Sequence, residues 1–84
     1  MDKAEFIKYY LAPLMWALDP DIEEIRLIDR PSAHQIITIK YQNSVARESI
    51  DITNKTNEEI AFDGVMLCLN HLDNKRRNPP LGQA

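Results

Sequence analysis

The sequence predicts an α+β domain: a helix, a three-stranded antiparallel meander and a second helix, with both helices on one face of the sheet. Three observations carry this. Apolar residues recur at helical spacing over the first eighteen positions. Two later segments alternate apolar and polar residues with the period of a strand. Between Thr56 and Arg77, a helix start signal, a long apolar run and a basic stop follow one another.

Asp2 is placed to cap the first helix, with Glu5 three residues later. Phe6, Ile7, Tyr10, Leu11, Leu14 and Leu18 recur at spacings of three and four. Pro13 removes a backbone donor and crowds the preceding turn, so a kink or break is expected near residues 9–12. Beyond it, Leu14, Met15, Trp16 and Leu18 leave almost no polar face. Asp19-Pro20-Asp21 ends the helix.

Residues 22–29 read two ways. Asp21-Ile22-Glu23-Glu24 resembles a helix start, whereas Ile25-Arg26-Leu27-Ile28 resembles a strand. The strand reading is preferred, because Arg30-Pro31-Ser32 stops the run within strand length. Residues 35–41 alternate clearly, and Gln42-Asn43-Ser44 is a turn. Residues 46–53 alternate again, with Ile50 and Ile52 on one side and Arg47, Ser49, Asp51 and Thr53 on the other. Short links favour an antiparallel meander. The face carrying Ile25, Leu27, Ile37, Ile39, Ile50 and Ile52 is expected to receive both helices, and the opposite face is mixed polar.

Thr56-Asn57-Glu58-Glu59 is a capping box, and Asn78-Pro79-Pro80 forbids the last helix to continue. Its only polar stripe is Glu59, Asp63, Asn70 and Asn74. Gly64 sits in mid-helix, where it costs up to about 1 kcal/mol relative to alanine, so a close approach to the first helix or to a partner is expected there. The element order resembles that of double-stranded RNA-binding domains. Those domains present a lysine-rich N-terminal end of the second helix to phosphates. Here that end is Thr56-Asn57-Glu58-Glu59, of opposite charge, so the RNA-binding role is not carried over.

Eighty-four residues make one domain, assigned to residues 1–76, with 77–84 as a proline-containing tail. Cys68 is alone, so no intrachain disulfide forms, and it reads as a small buried apolar side chain. A lone cysteine behind a polar N-terminus fits a cytoplasmic setting. No apolar run approaches the roughly 20 residues that span a bilayer, so no membrane role is expected. The net charge is −3, and removing Lys75, Arg76 and Arg77 takes it to −6. An acidic body with a short basic tail disfavours general nucleic-acid binding.

Chemistry-bearing patterns are sparse. Cys68 and His71 share a helix face, but a structural zinc site needs four ligands, so no metal or other cofactor is expected. No nucleophile, base and orienting group converge, so no enzyme is expected. The expected role is a non-enzymatic protein-interaction module, forming a homodimer or occluding a partner's surface as an acidic inhibitor. Tyr9, Trp16, Gly64 and Met66 are the interface candidates. Asp19, Asp21, Glu23 and Glu24 are the acidic contact candidates. The alternative is a nucleic-acid accessory protein using Lys75, Arg76 and Arg77 and the polar sheet face.

Overall fold

The computed structural model describes residues 2–29 and 34–77. The N-terminal helix comprises α1 (Lys3–Phe6), a π-helical turn (Ile7–Leu11) and α2 (Ala12–Leu18). Strands β1 (Ile22–Asp29), β2 (Gln35–Tyr41) and β3 (Arg47–Asp51) follow, and α3 (Asn57–Arg77) closes the domain. The sheet is antiparallel in the order β1-β2-β3. The helix–meander–helix architecture is therefore the one the sequence predicts. Residues 78–84, most of the expected tail, lie outside the described residues, and Arg77 is the last residue of α3.

Local chemistry sets the element ends. Asp2 Oδ1 accepts from the Glu5 amide at 2.8 Å, capping α1. The Thr56–Glu59 capping box is reciprocal: Thr56 Oγ1 accepts from the Glu59 amide, and Glu59 Oε1 accepts from the Thr56 amide. Asn43 and Asn54 take the left-handed backbone that turns require, with φ of 62° and 58°.

Pro13 acts as expected in kind but not in form. The helix does not break; it widens by one residue. The Ala12 amide donates to Ile7 O, five residues back, in the π-helical turn that ends just before the proline. This wide turn shifts the helical register. Ile7, Leu11 and Met15 are buried, whereas Tyr10 and Leu14, which regular periodicity would place on the same face, are exposed.

A second irregularity sets the face of β1. Ile22 lies opposite Tyr41 and Glu24 opposite Lys40, so the register shifts between Ile22 and Glu24. Without this bulge, Ile22 and Ile25 would point to opposite faces. With it, Ile22 joins Ile37, Ile39, Tyr41, Ile50 and Ile52 in one buried cluster, and Ile25 and Leu27 pack against it. Both helices cover this face. Ile7, Leu11 and Met15 come from the N-terminal helix, and Ile60 and Cys68 from α3. Full burial of isoleucines such as Ile37, Ile39, Ile52 and Ile60 contributes about 1.5–3 kcal/mol each relative to exposure.

Gly64 is spent inside the domain. A β-carbon there would stand 2.9 Å from Leu11 Cδ1 and 3.0 Å from Met15 Sδ. Of the two expected uses for this glycine, close packing on the first helix is the one realised, and Gly64 is buried instead of forming part of an exposed interface.

Candidate functional site

The C-terminal half of α3 gathers most of the polar chemistry on the covered side of the sheet. Asp19, at the end of α2, is fully buried, and its Oδ2 lies 2.5 Å from His71 Nδ1. Its Oδ1 accepts from the Asp21 amide at 3.2 Å. The His71 ring stacks on Tyr41 at a centroid distance of 4.0 Å and an interplanar angle of 24°. One helical turn later, Lys75 pairs with Asp21. The acidic turn after the first helix and the basic end of the last helix therefore hold each other.

This redistributes the charges singled out in the sequence. Asp19 is an interior hydrogen-bonding group and not a surface carboxylate. Glu23 pairs with Lys40 at 3.5 Å, and Glu24 pairs with Arg26 at 2.8 Å and Arg47 at 3.8 Å, all from the sheet. Lys75 is bound to Asp21, and Arg77 lies 3.1 Å from Asp73. Arg76 is exposed. Among the interface candidates, Tyr9 is exposed, with the Lys8 ammonium 5.4 Å from its ring centroid. Trp16 is partly exposed and donates its indole N–H to Ile22 O at 3.1 Å. Met66 lies at the surface.

Beside the Tyr41–His71 stack, a groove of about 340 Å³ runs between α3 and the β2–β3 side of the sheet. Tyr41, Glu48 and Ile50 supply the sheet wall. Asp63, Met66, Leu67, Asn70, His71 and Asn74 supply the helix wall. Three members of the predicted polar stripe, Asp63, Asn70 and Asn74, thus line a groove. Glu48 reaches it because its register partner Ile39 is on the covered face. Among the described residues Glu48 makes no ion pair. Asp63 is held by Lys55 at 2.6 Å. The Tyr41 hydroxyl is buried and, among the described residues, has no hydrogen-bond partner. Burial, with Asp19, Cys68 and Glu48 nearby, raises the Tyr41 pKa well above its ordinary value, so the phenol keeps its proton.

Cys68 precedes His71 by three residues but is turned elsewhere. It is fully buried, and its Sγ lies 3.8 Å from Met15 O. Burial, with Asp19 adding to it, pushes the thiol up to about 11. Among the described residues no three metal-ligating side chains gather, and no helix is long and apolar enough to cross a membrane.

The outer side of α3 bears Phe62, Met66 and Leu69, which are 66%, 38% and 46% exposed. Their spacing of four and three puts them on one stripe beside the groove. Residue patterning did not single out Phe62 or Leu69 as interface residues, although the breadth of the apolar surface was visible. Glu48 and Tyr41 also went unnoticed as groove residues, because only strand register brings them to α3. No protein-family model, curated protein or solved structure matches this chain.

Proposed function

We propose that this chain is a non-enzymatic protein-interaction module that contacts its partners along α3. The observation that carries this reading is the exposed stripe Phe62–Met66–Leu69 on a helix whose opposite face already packs the core. Contiguous apolar surface of this kind marks interaction sites. Its simplest occupant is the same stripe on a second copy, since a twofold pair covers one patch on each protomer. A role without chemistry agrees with Cys68, whose burial keeps it a protonated thiol, and with His71, whose Nδ1 is engaged by an interior carboxylate.

The acidic-inhibitor form of this reading draws its support from different carboxylates than the sequence suggested. Glu48, Glu58, Glu59 and Asp63 border two depressions along α3, and among the described residues that line them Lys55 is the one lysine or arginine. The nucleic-acid alternative loses support, because Lys75 and Arg77 are paired within the domain.

Sedimentation velocity from micromolar to near-millimolar protein tests the proposal. The wild type should approach twice 9.7 kDa, and Phe62→Ser/Leu69→Ser should remain at the single-chain mass with an unchanged melting temperature. A wild type that stays monomeric throughout would remove self-pairing. A double variant that pairs as well as the wild type would remove the stripe.

A further inference from the structure

We infer that the groove beside α3 is a receptor site for a guanidinium group, the side chain of an arginine presented by a protein partner. This rests on the reading of the chain as a contact module, but not on its pairing with itself.

Two carboxylates, Glu48 and Asp63, and two side-chain amides, Asn70 and Asn74, are the main polar groups along the groove. Glu48 offers a carboxylate with no ion pair among the described residues. Asn70 and Asn74 offer amide oxygens from successive turns of α3. His71 also lines the groove, with its Nδ1 engaged by Asp19. Tyr41 lines the same groove. The residue is 8% exposed, and among the described residues its buried hydroxyl has no partner, an unusual state for a buried polar atom. Ile50, Met66 and Leu67 add apolar wall, which suits the methylene stem of a long side chain.

Charge and geometry select among ligands. Glu48 and Asp63 repel an anion, and the Lys55 ammonium is already spent on Asp63. A neutral ligand would gain nothing from the charge of the exposed Glu48 carboxylate. A guanidinium carries a fixed positive charge and a planar fork of donors that matches a carboxylate bidentately, and so suits Glu48 beside the Asn70 and Asn74 oxygens better than the point charge of an ammonium. The volume is at the small end of the range for ligand pockets, which suits one side chain and not a large cofactor.

The test is an NMR titration of isotopically labelled protein with N-acetyl-arginine amide, N-acetyl-lysine amide and N-acetyl-citrulline amide. Citrulline keeps the planar shape and loses the charge. The expected result is saturable shifts at Glu48, Ile50, Asn70 and Asn74 with the arginine compound, weaker with lysine and absent with citrulline. Glu48→Gln, with an otherwise unchanged spectrum, should weaken arginine binding at least fivefold. An arginine-bearing peptide with flanking apolar residues should bind more tightly than the amide. Shifts equal with citrulline, unchanged affinity in Glu48→Gln, a peptide no better than the amide, or no groove-centred shifts would overturn the assignment. The sedimentation result for Phe62 and Leu69 is independent of all four. Failure of the groove and failure of the apolar stripe are therefore separately visible.

Discussion

Asp19 and His71, fifty-two residues apart, meet at 2.5 Å with the carboxylate fully buried. The contact fastens the end of α2 to the last third of α3. Asp19 is engaged on both oxygens, by the imidazole and by the Asp21 amide. Removing one partner of such a pair costs more than the pair itself contributes, because a buried charge is left unanswered. His71→Phe keeps a ring against Tyr41 and deletes the donor. It is expected to lower the unfolding free energy by about 3–5 kcal/mol, read by urea denaturation. Asp19→Asn keeps the shape, loses the charge, and should cost about 1–3 kcal/mol. A His71→Phe protein within 1 kcal/mol of wild type would mean that Asp19 finds water or another donor.

Gly64 gives a graded test of helix packing. Alanine gains about 1 kcal/mol of helix propensity. Its methyl group meets Leu11 Cδ1 and Met15 Sδ, which are ends of flexible side chains but are themselves buried. Gly64→Ala is therefore expected within about 1 kcal/mol of wild type, the two effects offsetting each other. Gly64→Leu must displace both neighbours and should lose about 3 kcal/mol, the upper end of overpacking costs. Equal stability of the two variants in thermal melts would show that α3 can move away from the N-terminal helix freely.

These two sites show what was and was not legible in the sequence. The strand at Gln35–Tyr41 and the Thr56 cap follow from alternation and local hydrogen bonding, which neighbouring residues decide, whereas Ile22–Asp29 was legible as a strand only through the length limit set by Arg30-Pro31-Ser32. The need for a close neighbour at Gly64 was also legible, since a mid-helix glycine requires compensation. Asp19 was not, because a carboxylate in an Asp-Pro-Asp turn is ordinarily solvated and its partner lies at the far end of the chain. The bulge at Ile22 and the wide turn at Ile7–Leu11 each add one residue to a regular period. Regular spacing groups Tyr10 and Leu14 with Ile7 and Leu11, and so does not reveal that the wide turn leaves them exposed. The groove was half legible: its helix wall appeared as the polar stripe of α3, and its sheet wall depended on register.

Alkaline pH should weaken the fold through Cys68 and Tyr41. The folded thiol is held up to about 11 from an ordinary 9.0, and the Tyr41 phenol is also raised, mainly by burial. Both groups bind their protons more tightly folded than unfolded. Their contribution is complete below the unfolded values and is lost as pH rises through the folded ones. Unfolding free energy should therefore decline from about pH 9 upward. Cys68→Ala and Tyr41→Phe should each flatten that decline. Tyr41→Phe should also raise stability at pH 7 by about 1 kcal/mol, because it deletes an unpaired buried hydroxyl. At pH 8, iodoacetamide should modify folded Cys68 far more slowly than the unfolded chain. A pH-independent plateau up to pH 11 would contradict the buried, protonated state of both groups.

The wide turn of the N-terminal helix can be separated from the proline that follows it. Two causes compete. Pro13 cannot donate to Tyr9 O, and its ring crowds that carbonyl in a regular helix. The flanking contacts also fix the register on both sides: Ile7 is buried in the core, and Lys3 donates to Gln35 Oε1 at 2.9 Å and to Ile52 O at 3.2 Å. If the proline alone forced the turn, Pro13→Ala would restore a regular helix and rotate residues 3–8 away from those contacts. Because Ile7 and Lys3 are held, Pro13→Ala should instead keep the wide turn and change stability by no more than about 1 kcal/mol. Deleting the exposed Tyr10 removes the extra residue. With Pro13 in place, that deletion should cost about 3 kcal/mol or more, since the proline then falls within regular helix. Combined with Pro13→Ala, it should recover most of the loss and yield continuous α-helical hydrogen exchange from residue 3 to the end of α2. No recovery in the combined variant would mean that the wide turn itself, and not the register it sets, is what the core requires.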